Sequence, residues 1–445
     1  MSDNRTSLVE KANSEYAEGY AGKTALVEFV SADPNNPITA GNARGGVIGD
    51  AVAGILEALG SSVTREYYIN DALNASRMLL FGRSLETRYL QELGHEPEMP
   101  EDGYQGDYVV QLAKRIAERD GDRHIHLSHD ERTILFTRLG EQGMLARQRE
   151  DLQAFGIRFD NWFSERELYQ AGKVEEALSM LKERGMAYES DGALWLKSTE
   201  YGDELDRALI RDNGQPTYIA SDTAYHADKF ARGFDRLINV WGPQHRRYVA
   251  RSKAAVAALG QEPDHLDILV HGEVQVFSGG QMVTMSRRGE LILLRELLDE
   301  IGKDASRFFL LSRPVGEPIE LDLEFVTQET PENPLHSIRQ ALRRMDAMLD
   351  EADEGEFAGD LRPEHPAEKR LAELCAGWPH VLRKAADSLE PYLVWVFTTQ
   401  VAEALHRFYE ECRIFGGDTD ITRTRLALIR TARDTLSGAM STLGI

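Results

Sequence analysis

Short apolar runs rich in β-branched and aromatic residues alternate with longer stretches of helical spacing from Lys23 to about Thr330. The runs "TALVEFV", "VTREYYI", "TYIASD", "RLINVWG" and "DHLDILVHGEVQVF" read as strands, and the amphipathic or charged segments between them as helices. Such alternation predicts an α/β architecture: a mainly parallel sheet with helices on both faces, whose ligands sit at the carboxyl ends of the strands. Both "SADPNNPITAGN" and "SDTAYH" are expected at that edge, each following a strand. Residues 71–185 are mostly helical, end in an expected hairpin at "MAYESDGALWLKS", and read as an insertion between two halves of a nucleotide-binding fold. After "TPENP" at 330–334 the pattern is purely helical, with an acidic break at "DEADEGEFAGDLRPEHPAE" that offers no apolar surface to a core. The expected organisation is an extension over 1–22, an α/β domain over 23–330 and an all-α domain over 331–445.

The loop "SADPNNPITAGNARGGVIGD" (31–50) carries the first chemical signal. A polar, proline-interrupted segment runs into a small-residue helix expected to begin near Ala43, whose first-turn amides and dipole face the loop and favour an anion such as phosphate. Gly41, Gly45, Gly46 and Gly49 remove side chains where a nucleotide would approach the backbone. Neither GxGxxG nor GxxxxGKS/T occurs, so spacing alone does not name the ligand.

Composition narrows the class. The 445 residues exceed one compact core, and 42% hydrophobic with 28% charged residues describe an ordinary globular chain without repeats or a membrane-spanning run. The polar start "MSDNRTSLVEKANSEY" lacks a secretory core, so a cytoplasmic protein is expected. Cys375 and Cys412 lie in helical patterns without CxxC or Cys/His clustering, which points to buried small hydrophobes and no metal site. A net charge of −23 argues against loose binding of nucleic acid, DNA included. Arg413, Arg423, Arg425, Arg430 and Arg433 could still gather on one helical surface, although an ordinary solvated face is the simpler reading.

Eight motifs in order, "VEFVSADPNNPITAGNARG", "YYINDA", "DGYQGDYV", "RFDNWFSE", "TYIASDTAYHADKF", "VWGPQHRRY", "MSRRG" and "ASRFFLLSR", make the chain resemble arginyl-tRNA synthetases, class I aminoacyl-tRNA synthetases, from about Thr24 to the C-terminus. The resemblance implies a Rossmann-like catalytic domain and an anticodon-binding-like helical tail. It also implies ATP as a substrate that brings magnesium, arginine or a related guanidinium compound as ligand, and tRNA as acceptor. By resemblance Glu165 and Asp222 hold the guanidinium, with Tyr218 beside the side chain, Ser31 near the α-amino group and Asp33 near the α-amino and carboxylate groups. ATP falls to Thr39, Gly41, Asn42, Gly242, His245, Met285, Ser286, Arg287 and Arg288, of which Thr39, Asn42 and Arg287 stand at catalytic positions. Two carboxylates and an aromatic face suit a planar cation. Taken without the family, Glu165 and Asp222 read as helix N-caps, and His226 and His245 as structural residues.

The chain departs from the family in four places. The HIGH signature reads "TAGN", so Thr39 and Asn42 replace histidines and supply only neutral donors, a loss on the order of 10⁴ in rate if each donor counts separately. KMSKS reads "TMSRRG", with Thr284 and Arg287 for its lysines. "GPQHRRY" keeps His245 among altered neighbours. Asp33 stands where asparagine is usual, and its carboxylate would attract an ammonium and repel a carboxylate. The family's N-terminal tRNA-elbow domain is also not seen before Thr24, so weakened tRNA binding is expected. Three functions follow: an arginine-tRNA ligase with impaired or altered chemistry, a degenerate paralogue that binds arginine or tRNA in a regulatory role, or a ligase repurposed for another acceptor.

Overall fold

The computed structural model describes residues 16–71, 75–283, 292–352, 362–415 and 419–445. Its centre is a five-stranded sheet in the order β3 (Asn161–Ser164), β2 (Ser62–Ile69), β1 (Thr24–Glu28), β7 (Arg236–Trp241) and β8 (Leu266–Val270). Every pairing in it is parallel. The chain moves outward from β1 through β2 to β3 and later returns to the other flank through β7 and β8, so the carboxyl end of β1 lies where the winding reverses. Ala25, Leu26 and Val27 are buried, as a central strand covered on both faces requires.

Helix α1 (Ala40–Ala58) follows β1, and α2 (Ala75–Glu92), α3 (Asp107–Asp120) and α4 (His129–Ala154) lie between β2 and β3. Beyond β3, α5 (Glu165–Gln170) and α6 (Lys173–Glu183) lead into an antiparallel sheet of β4 (Ala187–Ser190), β5 (Ala193–Leu196) and β6 (Arg207–Ile210). The expected hairpin is β4–β5, turning at Asp191 (φ 54°) and Gly192 (φ 77°). Helix α7 (Tyr218–Ala231) precedes β7, and α8 (Val249–Ala258) precedes β8. A third sheet joins β9 (Val274–Ser278), β10 (Gln281–Val283) and β11 (Ile319–Asp322), with α9 (Leu294–Leu310) before β11 and α10 (Leu323–Thr327) after it. The helices α11 (Pro334–Glu351), α12 (Pro366–Ser388), α13 (Tyr392–Glu411) and α14 (Thr419–Thr442) complete the chain.

Two sequence expectations change. "TYIASD" is helix, with Thr217 at the N-cap position and α7 starting at Tyr218, because Ile219, Ala220, Thr223 and Ala224 are buried at helical spacing. "DHLDILVHGEVQVF" is two strands in two sheets, broken at His271–Gly272, where a Cβ on Gly272 would lie 2.1 Å from the Glu317 carbonyl oxygen. Within the span read as helical insertion, the four-residue β3 pairs with β2 at the edge of the main sheet.

The glycines of α1 serve packing more than ligand access. A Cβ at Gly49 would lie 2.3 Å from the Phe29 ring, one at Gly46 2.9 Å from Ile157 Cδ1, and one at Gly45 3.2 Å from His271 Nε2. Gly41 has only Thr39 Oγ1 at 3.7 Å, so it alone of the four keeps an open face. The Gly49→Ala variant should lose about 1–3 kcal/mol of stability, read as a lowered denaturant midpoint, because the buried Phe29 ring has nowhere to go, whereas Gly41→Ala should leave the midpoint unchanged.

Fully buried Arg307 on α9 fastens the layers. Its Nη2 donates to Asp50 Oδ2 (2.5 Å) and to the Leu443 carbonyl oxygen (2.9 Å), and its Nη1 to the Phe155 carbonyl oxygen (3.2 Å). Against the far side of α1, a Cβ on Gly54 would meet the Thr442 carbonyl oxygen at 2.7 Å. One apolar cluster accordingly runs from β1 and α1 through α9 into α11–α14. Cys375 and Cys412 are free and buried within it. Among the described residues no helix is long and apolar enough to cross a membrane.

Candidate active site

Helix α1 begins at Ala40, earlier than the sequence pattern implied, because Thr39 and Asn42 form a reciprocal cap. Thr39 Oγ1 accepts from the Asn42 amide (3.2 Å), while Asn42 Oδ1 accepts from the Thr39 amide (3.1 Å) and hydroxyl (2.8 Å). These bonds fix the carboxamide orientation. The Thr39 hydroxyl is spent inside the cap, and the Asn42 Nδ2 group is turned away from it as the remaining side-chain donor. The same loop is stitched to the chain entering α9: the Ala40 amide donates to the Ile292 carbonyl oxygen (2.9 Å), and the Leu294 amide to that of Ile38 (2.8 Å). Met285, Ser286, Arg287 and Arg288 lie outside the described residues, which resume at Ile292.

On its way to this loop β1 ends in a strained turn. Val30 (φ 68°) and Ser31 (φ 42°) both lie in the left-handed region, at roughly 1–3 kcal/mol apiece for side chains that avoid it. Ser31 Oγ donates to Glu28 Oε1 (2.9 Å) and accepts from the Tyr68 amide (3.1 Å). Glu28 in turn accepts from Lys229 Nζ (2.7 Å), a fully buried ammonium that also donates to Asn239 Oδ1 (2.8 Å) and lies 4.1 Å from the Tyr225 ring centre. Ser31 is therefore a structural clasp as well as a candidate contact.

The carboxylates of Glu28, Glu165 and Asp222 act on one another here. Glu165 is the first residue of α5 and 1% exposed, and Asp222 lies one turn into α7, four residues after Tyr218. Neither is an N-cap, since Ser164 and Thr217 hold those positions. Burial first, then the charges of Glu165 and Glu28, push the Asp222 carboxyl up to about 7, against the pull of Lys229 and Arg251. The buried Tyr68 hydroxyl, without a hydrogen-bond partner among the described residues, is raised well above its ordinary value by burial and then by the same three carboxylates. Lys229 is already committed to Glu28 and Asn239, so a planar cation with several N–H donors would suit the excess negative charge.

Asp33 lies further along the loop, with Arg77 Nη1 3.7 Å away and Asn70 Nδ2 donating to it at 3.3 Å. Burial raises its pKa, opposed by Arg77, Asn70 and His245. Tyr218, 47% exposed, senses Arg77, Asp33 and Glu165 and so lies near both groups. The insertion helices brace the loop backbone and its asparagines. Gln148 Nε2 donates to the carbonyl oxygens of Asp33 (3.0 Å) and Asn36 (2.8 Å), Asn35 Nδ2 to Tyr104 (3.0 Å), and Tyr108 to Asn36 Oδ1 (3.0 Å). Tyr104 and Tyr108 of "DGYQGDYV" thus prop the loop.

Gly242 and His245 occupy the turn after β7. Burial lowers the His245 pKa, while Asp33 and Glu28 act in the opposite sense. His226 is buried within α7 and held down at about 3 by desolvation and then Lys229, as befits a neutral structural imidazole. His271, at the end of β8, carries its proton on Nδ1 to bond the Gly272 carbonyl oxygen (2.8 Å) and is pushed down to about 4 chiefly by burial. Sequence reasoning passed over Lys229, Gln148 and Arg77, whose partners Glu28, Asn36 and Asp33 are distant in sequence, and His271, whose approach to Gly45 of α1 arises only on folding. Trp162, Trp195 and Trp241 are half-buried, and Trp162 packs against the main apolar cluster. Of the C-terminal arginines, Arg425 pairs with Glu368 (2.7 Å) and Arg433 with Asp346 (3.0 Å). No group of three or more His, Cys, Asp or Glu side chains that could hold a metal ion occurs among the described residues.

The sequence profile described as "tRNA synthetases class I (R), catalytic domain" matches residues 5–310, and that of the DALR anticodon binding domain matches 336–445. The parallel sheet and the matched span together define a class I aminoacyl-tRNA synthetase architecture. An arginine-tRNA ligase of Syntrophotalea carbinolica is 43% identical over 433 residues, covering 95% of this chain and 78% of that one. A putative arginyl-tRNA synthetase from Campylobacter jejuni superposes with TM-score 0.88 at 30% identity, over 98% of both chains. The Thermus thermophilus arginyl-tRNA synthetase, at 19% identity and TM-score 0.76 over 98% of this chain and 85% of that one, shares the fold. The chain belongs to the arginyl-tRNA synthetase family.

Proposed function

We propose that the protein activates arginine with ATP and transfers it to tRNA, with an adenylate step slowed by the loss of two imidazoles. The observation that carries this reading is the convergence of Glu28, Glu165 and Asp222 at the switch point of the sheet, where Lys229 is already engaged. The guanidinium occupies the Glu165–Asp222 end, with Tyr218 at its side. A carboxylate oxygen of arginine then attacks the α-phosphorus of ATP, and the bond to pyrophosphate breaks. A ribose hydroxyl at the tRNA terminus next attacks the acyl carbon and releases AMP.

Phosphate binding falls to the first turn of α1, the open face of Gly41 and the Asn42 Nδ2 group, joined by Gly242 and His245 from the turn after β7. These donors are neutral, so charge developing on the α-phosphate is stabilised less than by imidazolium. Magnesium would arrive with the ATP phosphates. The match of 336–445 to an anticodon binding domain supports tRNA as acceptor.

The test is ATP–pyrophosphate exchange. Exchange dependent on arginine and on tRNA, run with and without tRNA and accompanied by charging, is the expected result. Arginine binding without exchange at any enzyme concentration would leave a binding protein in place of a ligase, and exchange without charging would move the acceptor away from tRNA.

A further inference from the structure

The loop after β1 contains an acid where the proposed reaction least tolerates one. Activation brings together two anions, the amino-acid carboxylate and the α-phosphate, between the Glu165–Asp222 end and the start of α1. Asp33 occupies the loop joining those ends, two residues after the Ser31 clasp and six before the Thr39 cap. Its charge acts on Tyr218, as does that of Glu165, and on His245. An ionised carboxylate at that point repels both reacting groups.

Arg77, near the start of α2, changes that balance. Its guanidinium lies 3.7 Å from Asp33 Oδ2, and its charge reaches Tyr104 and Tyr218 as well. The side chain is 69% exposed, against 30% for Asp33, and the contact is longer than a hydrogen bond. A pair of that kind holds weakly, so a better anion can take the guanidinium at little cost. Lys229 is unsuited to the task because Glu28 and Asn239 hold it inside the fold, and Thr39 and Asn42 are uncharged.

We propose that Arg77 is a specificity-determining residue that rests on Asp33 and grips the carboxylate of the bound amino acid, selecting arginine over guanidinium compounds that lack a carboxylate. The proposal rests on the guanidinium reading of Glu165 and Asp222. With Arg77 in place, the repulsion expected from Asp33 is offset and its carboxylate becomes the anchor of the gripping group. The geometry matches the chemistry, since a guanidinium can engage a carboxylate through two parallel N–H donors.

Calorimetric titration of the full chain with arginine and with agmatine, its decarboxylated analogue, tests this. The unmodified protein should prefer arginine by about 10- to 100-fold, the worth of a charge-assisted contact. Arg77→Met should abolish that preference while agmatine affinity stays within about twofold, and Arg77→Lys should restore part of it. An arginine-to-agmatine ratio unchanged in Arg77→Met overturns the proposal and leaves the guanidinium site standing, as does an unmodified protein that binds agmatine as tightly as arginine. Failure of the unmodified protein to bind either compound removes the guanidinium site, and this proposal with it.

Discussion

Replacing Thr39 and Asn42 together by histidine should raise arginine-dependent pyrophosphate exchange by about 10²- to 10⁴-fold, the range spanned by one or two donors aimed at developing charge. The backbone for such donors is already present. Helix α1 starts at Ala40, its amides face the loop, Gly41 leaves its side open, and the loop is bonded to Ile292 and Leu294. What the present residues do instead is satisfy each other. Breaking their reciprocal cap costs about 0.5–2 kcal/mol of stability, and histidine can recover part of it, since at the start of α12 His365 Nδ1 already accepts from the Ala367 amide at 3.3 Å. Exchange should therefore climb while the melting temperature falls slightly. A folded double variant with no gain would show that these positions do not limit activation.

Asp222→Asn should weaken arginine binding by about 10- to 100-fold, and combination with Glu165→Gln by about 10³-fold or more, because each substitution exchanges a charged acceptor for a neutral one. A pH signature accompanies the loss. With its pKa at about 7, the Asp222 carboxyl of the free protein is half protonated near neutrality. A bound cation favours the ionised form, so binding near or below that pH expels a proton. Affinity for arginine should accordingly rise about tenfold per pH unit on the acid side of pH 7 and level off above it. Titrations from about pH 6 to about pH 8 in buffers of differing ionisation enthalpy read both the affinity and the proton count. The Asp222→Asn variant should give a flatter profile, and an unmodified protein with no slope would show that Asp222 is not the group the ligand engages.

Much of the architecture could be read from the chain because it rests on local periodicity. "TALVEFV" and "RLINVWG" became β1 and β7, the "MAYESDGALWLKS" hairpin formed at Asp191–Gly192, and the helical tail followed Pro334. "TYIASD" misled because tyrosine and isoleucine favour strands in isolation, whereas its buried positions recur at helical intervals only when the downstream residues are included. The four-residue β3 and β6 were too short to leave a period. Of the candidate site, the motif residues drew attention to the loop after β1, but how they are held did not follow. The T-x-x-N cap was visible in principle, as a local pattern of residue types. The Glu28–Lys229 pair, separated by 201 positions, and the Gln148 brace, separated by 115 from Asp33, were not, for no spacing rule links residues brought together only by folding.

The knot at Arg307 bears on how the molecule comes apart. A guanidinium that joins the signature helix, the Phe155 turn and Leu443 leaves no seam along which the terminal helices could peel away and keep their shape. Loss of the terminal helices strips the back of α1 of its cover, and loss of α1 exposes the apolar flank of the bundle. Either half expressed alone would be an aggregation-prone fragment, and heating the intact chain should yield one cooperative melting event in place of two.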